Sequence, residues 1–509
     1  MKKYFVVALA ALFVLGFAAS SFAIHAEIPA ETQAVVSKGA TQITIGGDIR
    51  VRGIMDNNTK DFNNDATASG DDAKWDQRVR LQVEAKVTPN TTGLIQLEAG
   101  NADNTTGSQD IRDWGTEPNQ QATGTIKAGD VKQDGMRILQ AWILHQGSGL
   151  LGVPALVKIG HMPVQISELY YSHTKFGDDA ILLGVDPVKE LHLILGHVKL
   201  GEGNTWNADD VNGYTLIASY DINKDSNVGA SATYADGQNR TAFGYSFFPI
   251  NNAISNAFIT SLNPSLSRSA LTLTNGADLH LWNFAITGKT KIANLGVKGE
   301  FDIQAGKITD LGTGSDSMKF RGMAGKLDVD YTIQPVTLMF GAAYGSGDDF
   351  KKVLYGDDNK IRNFVTTQDA VQHFTFVYEY LTPNAAGNQY GGLQNTWYLK
   401  AGAKADIMKN LDGMINVYYL RAVHATPLGA VAEQAFGNSV FSSKAIGTEV
   451  DVNLNYQIDK NLKYYVEGGY LFAGNFWKNV TPATVTAAGT TTKSPDDAWA
   501  VRHGIQLSF

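Results

Sequence analysis

Apolar residues recur at every second position along most of this chain, the period at which side chains leave a β-strand on one face. Ile43, Ile45, Ile49 and Val51 share one face of a first segment, with Gln42, Thr44, Asp48, Arg50 and Arg52 on the other. Val79, Leu81, Val83, Ala85 and Val87 oppose Arg78, Arg80, Gln82, Glu84 and Lys86. Leu295, Val297, Phe301 and Ile303 alternate with Lys298, Glu300, Asp302 and Gln304. Val450, Val452, Leu454 and Tyr456 alternate with Glu449, Asp451, Asn453 and Asn455. At the end of the chain Trp499, Val501, His503, Ile505, Leu507 and Phe509 share a face, opposite Ala498, Ala500, Arg502, Gly504, Gln506 and Ser508. Each segment predicts a strand. A soluble sandwich alternates as well, so the chemistry of the apolar face decides. It is Val, Leu, Ile and Ala, with Tyr or Trp at segment ends such as Trp75, Trp397, Tyr456 and Trp499. An apolar band between aromatic rings is the pattern of a sheet that faces lipid.

The connections sort by length. Tight turns fall at Pro89-Asn90, Asp221 to Asp225, Gln334-Pro335, Lys409 to Asp412 and Asp459 to Asn461. Long polar stretches lie between them at 56–73, 101–135, 236–277, 347–394, 423–445 and 474–496. Short turns at one end and long loops at the other predict an all-β, transmembrane, antiparallel up-and-down barrel. The parse gives about 18 strands, or about 16 if the weak Ala155–His161 and Ala180–Asp186 segments are merged differently. Lipid tolerates no unpaired backbone, so the strand ending at Phe509 is expected to close the ring against Ile43 to Val51. Arg502 and Gln506 then point into water inside the barrel.

The N-terminus bears on location. Lys2 and Lys3 precede an apolar run from Tyr4 to Ala19 and a small-x-small site, Ser21-Phe22-Ala23. Residues 1–23 read as a secretory signal peptide, 24–40 as a short periplasmic lead-in with room for a turn of helix, and 41–509 as one barrel domain. An N-terminal membrane anchor is the alternative, but the run is short for a spanning helix. No later apolar run is long enough to cross as a helix. The chain has 509 residues and no Cys, so an exported protein of this size must draw its stability from a large core or a closed sheet. A formal charge of −8 argues against a nucleic-acid partner.

The chain resembles the Gram-negative outer-membrane porins. The matching features are the signal peptide, the alternating strands and the terminal stretch His503-Gly-Ile-Gln-Leu-Ser-Phe509. Strand ends such as Tyr344-Gly-Ser-Gly-Asp348 match too. Ile138-Leu-Gln-Ala-Trp-Ile-Leu, followed by Val157-Lys-Ile-Gly-His-Met-Pro, is similar to the family's fourth and fifth strands, with Gly160-His161 where Gly-Arg or Gly-Lys often stands. The resemblance implies outer-membrane lipid as the surroundings, a homotrimer, and Phe509 as the residue read by the barrel-assembly machinery. It also implies that the loop after strand five, Met162 to Asp179, folds into the lumen as a constriction. That loop carries Glu168, Tyr170, Tyr171, His173, Lys175, Asp178 and Asp179.

Pairing of the first two strands is expected to bring Arg50 near Arg80 and Arg52 near Arg78. Like charges directly opposite are destabilising unless water or counter-ions screen them, and a wide, water-filled lumen supplies both. Arg50, Arg52, Arg78 and Arg80 then form a basic wall facing Glu168, Asp178 and Asp179 across the channel, a charge bias of the kind pores use. Alternatively these arginines are ordinary lumen residues paired with Asp48 and Glu84. The acid pairs Asp71-Asp72, Asp348-Asp349 and Asp357-Asp358 could hold hard divalent cations, but as solvated loop residues they need no ligand. No Gly-x-Ser-x-Gly, His-Glu-x-x-His or metal-spaced His pair occurs. The expected function is therefore a channel for passive diffusion of small hydrophilic solutes and ions, with no catalysis and no cofactor. Other readings are a barrel that sheathes a multihaem cytochrome, whose haem would sit on another chain because Cys-x-x-Cys-His is absent, and a structural or adhesive surface barrel.

Overall fold

The computed structural model describes residues 34–38, 41–59, 62–64, 72–99, 136–148, 152–201, 210–240, 277–309, 317–349, 359–368, 374–379, 392–425, 443–479, 483–486, 489–492 and 494–509. Eighteen strands form one ring. They are β1 (Thr41–Asn57), β2 (Asp72–Thr88), β3 (Thr91–Ala99), β4 (Met136–Gly147), β5 (Ala155–Gln165) and β6 (Tyr171–Val188). Next come β7 (Leu191–Gly201), β8 (Val211–Asn223), β9 (Ser226–Arg240), β10 (Ala277–Ile292), β11 (Leu295–Thr309) and β12 (Met323–Ile333). The ring ends with β13 (Val336–Gly345), β14 (Thr396–Met408), β15 (Leu411–Ala422), β16 (Ala445–Asp459), β17 (Leu462–Ala473) and β18 (Ala498–Ser508). Each pairs antiparallel with the next, and β18 closes on β1 with Asp48 opposite Ser508 and Asn57 opposite Trp499. The count is 18, and the two weak segments lie in separate strands, one in β5 and the other in the periplasmic half of β6.

Outward rows are apolar and open, Ile143 at 63 % and Ile286 at 66 % exposure, as positions that meet lipid must be. Among the described residues no helix is long and apolar enough to cross a membrane; the strands do the crossing. Every connection at the end where β1 begins and β18 ends is two residues long except 148–154, while the opposite end carries the long ones. The sorting of loop length by parity is thus observed, and it orients the barrel with its short turns toward the periplasm.

β1 is longer than β18, so its lower half would be left as an open edge. The strand Ala34–Lys38 folds back to cover it, Ala34 opposite Ile45 and Lys38 opposite Thr41. The described part of the lead-in is therefore a strand rather than a turn of helix. Residues 1–33, and with them the expected signal peptide, lie outside the described residues. Gly47 and Phe509 exchange backbone hydrogen bonds of 2.8 and 3.0 Å at the seam. A Cβ on Gly47 would fall 2.7 Å from Cζ of the Phe509 ring, so glycine makes the space that the terminal aromatic occupies.

Candidate functional site

The lumen is not a uniform aqueous bore, because chain folds into it from two places. The first is the β5–β6 connection. The two strands pair regularly as far as Met162 opposite Asp178, then resume with Val164 opposite His173. Pro163, which has no N–H to give the ladder, and Gly177, at φ +79°, stand at this break. Beyond it the tip 166–170 turns inward, with Ile166 N–H donating to Tyr171 O at 3.0 Å. The inward row of β11 receives it. Glu300 accepts the amides of Glu168 (3.0 Å) and Leu169 (2.8 Å). Asp302 accepts from Ser167 Oγ at 3.3 Å and from Asn283 Nδ2 at 2.7 Å. The carboxylate of Glu168 meets Lys326 Nζ at 2.5 Å and also Lys298. Burial opposes its ionisation, but the ammonium groups of Lys326 and Lys298 outweigh that and hold it below the ordinary carboxylate range. Burial and the nearby Asp302 push the Tyr170 phenol up.

The second inward region belongs to the β13–β14 connection. Gln304, the next inward residue of β11, holds Val365 at both backbone groups, donating to its O at 2.6 Å and accepting from its N–H at 2.9 Å. Thr366 Oγ1 then donates to Leu169 O at 2.9 Å, and Thr367–Gln368 lies parallel to Tyr171–Ser172. The two inward regions are therefore bound to each other. Further along, Val377 and Tyr378 donate amides to Glu449 (2.5 and 2.9 Å), and Phe376 donates to Asp451 (3.2 Å) on the inward row of β16. Phe374 stacks on Tyr398 at 5.0 Å, and the Arg502 guanidinium sits 5.2 Å from the Phe376 ring. Gly469 on β17 leaves the room: a Cβ there would fall 2.5 Å from Asp451 Oδ1 and 2.9 Å from Val377 Cγ2. Eighteen strands do enclose a wide bore, but these buried segments narrow it.

The arginines occupy the inward rows of β1 and β2, and the register differs from the expected one by two residues. Arg50 faces Arg78, Arg52 faces Asp76, and Asp48 faces Arg80. Their charge is relieved by interleaved acids rather than by open water. Arg52 Nε donates to Asp76 at 2.6 Å, with Arg50 at 3.7 Å from the same carboxylate. Arg78 donates to Asp48 at 2.7 Å, and Arg80 Nε to Glu98 at 2.6 Å. Glu98 also takes Arg137 from β4. Glu84 makes none of these pairs. All four arginines are buried. Arg502 and Gln506 point inward as expected, Arg502 onto Glu467 at 2.8 Å.

The expected acidic trio separates. Glu168 is inward but already matched by two lysines. Asp178 is inward and accepts from Tyr171 Oη at 2.6 Å, with His173 Nδ1 2.8 Å away. Asp179 falls on the outward row with Ile159 and Ile181, its side chain 75 % exposed beside His161 at 3.1 Å, so it cannot line the lumen. Strand alternation is the reason: Asp178 and Asp179 are neighbours and must face opposite sides. Of the acid pairs, Asp348 spends its carboxylate on the amides of Arg362 (2.6 Å) and Asn363 (3.3 Å). The side chains of Asp71-Asp72 and Asp357-Asp358 lie outside the described residues, as does that of Lys175. The residues that anchor the inward segments, Glu300, Asp302, Gln304, Glu449 and Asp451, were seen in the sequence only as polar-face residues. The signal was there: both strands carry Glu-x-Asp on an inward row, two like charges that need donors.

A closed antiparallel ring of this size, apolar outside and polar inside, whose first strand begins and last strand ends on the short-turn side, is a porin-like barrel of the bacterial outer membrane. Residues 228–491, from β9 to beyond β17, match the model of a family described as alginate export, and the chain belongs to that family. Among solved structures, a BenF-like porin from Pseudomonas fluorescens Pf-5 matches at 11 % identity over 92 % of this chain and 99 % of that one, with a TM-score of 0.50; the likeness is one of fold. OpdQ of Pseudomonas aeruginosa matches at 10 % identity over 92 % and 98 %, TM-score 0.49. The outer membrane protein OprD of the same organism matches at 10 % over 91 % and 94 %, TM-score 0.47. No curated protein sequence matches this chain.

Proposed function

We propose that the protein is an outer-membrane channel through which small hydrophilic solutes and ions diffuse passively, narrowed where the inward segments meet. The observation that carries this reading is the joining of the 166–170 tip to Val365 and Thr366 inside the ring, on an anchor row of β11. A packed interior needs no such arrangement, whereas a pore needs a fixed narrow point. The bias is transverse. β2 and β11 stand nine places apart in a ring of eighteen and so face each other. The basic wall of Arg50, Arg52, Arg78 and Arg80 therefore looks toward Glu300 and Asp302, with Glu168 on the tip between and Asp178 on the inward row of β6. Rows of fixed charge of opposite sign order dipolar solutes and select ions. Export through a signal peptide, a homotrimer and recognition of Phe509 by the assembly machinery complete the proposal.

The family description supports a second reading, carriage of an acidic polysaccharide, for which the arginine wall is suited by sign. Planar-bilayer conductance under a salt gradient tests both. The expected result is a conducting pore whose reversal potential moves toward cation preference when Arg50, Arg52, Arg78 and Arg80 are replaced by Gln. Folded protein that does not conduct overturns the channel. An unmoved reversal potential overturns the bias, and block of the current by uronate oligomers, but not by neutral ones, favours the second reading.

A further inference from the structure

On the outside of the barrel, above the lipid-facing rows of β11 to β13, the outer rim turns basic. The short strand Met318–Phe320 pairs antiparallel with β11 and parallel with Lys360–Ile361. This register sets Lys319 opposite Lys307 on one side and opposite Lys360 on the other, three ammonium groups on one rung. Like charges directly opposite destabilise a sheet, yet neither Lys307 nor Lys319 has an ion pair among the described residues. Arg321 follows on the same exposed side, its N–H held by Ile361 O and its guanidinium by Phe320 O, both at 2.8 Å. Arg362 is fixed through its backbone, donating to Asp348 and accepting from Ser346 Oγ at 2.5 Å. A pocket of about 430 Å³ opens between Arg321, Lys360, Arg362 and the outward-facing Met323 and Tyr344. It opens toward lipid because Met323 and Tyr344 continue the rows of Leu327 and Phe340, which face the bilayer.

We propose that this rim binds the phosphate-bearing headgroup of an outer-leaflet glycolipid. The guanidinium of Arg321 grips phosphate oxygens, the lysine rung supplies the remaining positive charge, and Met323 and Tyr344 lie against the first carbons of the acyl chains. A bound phosphate also resolves the repulsion along the rung. The occupant is a lipid rather than a lumen solute because the apolar half of the pocket lies on the outward row. The inference rests on the outer-membrane orientation and is independent of conduction.

The test uses the full-length protein in a non-ionic detergent, titrated with diphosphorylated lipid A, with its dephosphorylated form and with inorganic phosphate, and retention is read by native mass spectrometry. Replacing Lys319, Arg321 and Lys360 together by Gln is expected to weaken retention of the phosphorylated lipid about fivefold per charge removed, about a hundredfold in all. Lys409→Gln, in a periplasmic turn, is expected to leave it unchanged. Equal retention by the triple variant, equal retention of the dephosphorylated lipid, or full competition by inorganic phosphate at the same concentration would overturn the proposal. If the triple variant fails the heat-modifiability check for a folded barrel, K319Q and R321Q are read singly, each for about a fivefold loss. No current is measured, so a failed channel and a failed lipid site are told apart.

Discussion

On β11, Glu300 accepts the amides of Glu168 and Leu169; on β16, Glu449 accepts those of Val377 and Tyr378. In each strand an aspartate two residues on completes the site, Asp302 with Ser167 and Asp451 with Phe376. The sites differ in what surrounds them. The segment on β11 brings a carboxylate of its own, Glu168, which Lys298 and Lys326 neutralise, and it is held again from behind by Thr366. The segment on β16 has the amide bonds, a 2.5 Å contact between Tyr378 Oη and Thr396 Oγ1, and ring packing. The first anchor adds ion pairs to its carboxylates, and the second adds a hydroxyl contact and ring packing to its own. On the proposed channel reading, the β5–β6 tip is the more firmly held narrowing and the segment beside β16 the more easily released.

The comparison breaks most readily at Glu449. Glu449→Ala leaves the buried amides of Val377 and Tyr378 without an acceptor, at about 1–3 kcal/mol for each orphaned group. That lowers the docked population of 374–379 by a factor of about 5–150 for each of the two amides. Hydrogen exchange at amides 376–378 is expected to quicken accordingly, with a rise in single-channel conductance. Unchanged exchange would mean that ring packing alone holds the segment.

Glu300→Ala is expected to do less, although it orphans the same number of amides. The Glu168 ion pairs and the Thr366 bond remain, so exchange at 168 and 169 should quicken by the lower end of that range, about fivefold. Adding Glu168→Gln removes the redundancy and should bring the loss up to that of Glu449→Ala. If Glu300→Ala alone matches Glu449→Ala, the two anchors are equivalent and the contrast fails.

Much of this was legible and some was not, for reasons of geometry. Alternation gave the barrel, its orientation and the closure of Phe509 on β1, because strand faces and loop parity are local properties. It also put Lys298, Glu300, Asp302 and Gln304 on one inward row, and that row is the anchor. What it could not give is which chain arrives there. Contacts of Glu300 with 168 and of Glu449 with 377 span more than seventy residues and depend on how loops enter the ring. The register of β1 on β2 was missed by two residues because the connection at 58–71 is no tight turn and sets no register. The trio of acids failed at Asp179 on alternation itself, a rule the sequence already carried.

Acidity separates the anchors next. The bound Glu168 is ionised more readily than a free one, so its contribution is fully present above the ordinary glutamate value of about 4.3 and is lost as pH falls through its lower bound value. The side-chain carboxyl carbon resonance of Glu168 should therefore hold the same position at pH 7 and pH 5 and move only in stronger acid. Movement already at pH 5 would mean that the lysines do not hold the carboxylate.

The smallest effect is expected where the redundancy is greatest. Lys298 is the more exposed of the two cations on Glu168, with 38 % of its side chain open against 20 % for Lys326. Exposed ion pairs contribute about 0–1 kcal/mol, and Lys326 still occupies the other carboxylate oxygen when Lys298 is removed. Lys298→Gln should thus change exchange at 168 and 169 by less than about fivefold, while Lys326→Gln, which also strips a partner from Asp328, should exceed it. The reverse order would place the working cation of the tip on β11 rather than β12, and the redundancy would then lie within one strand instead of across two.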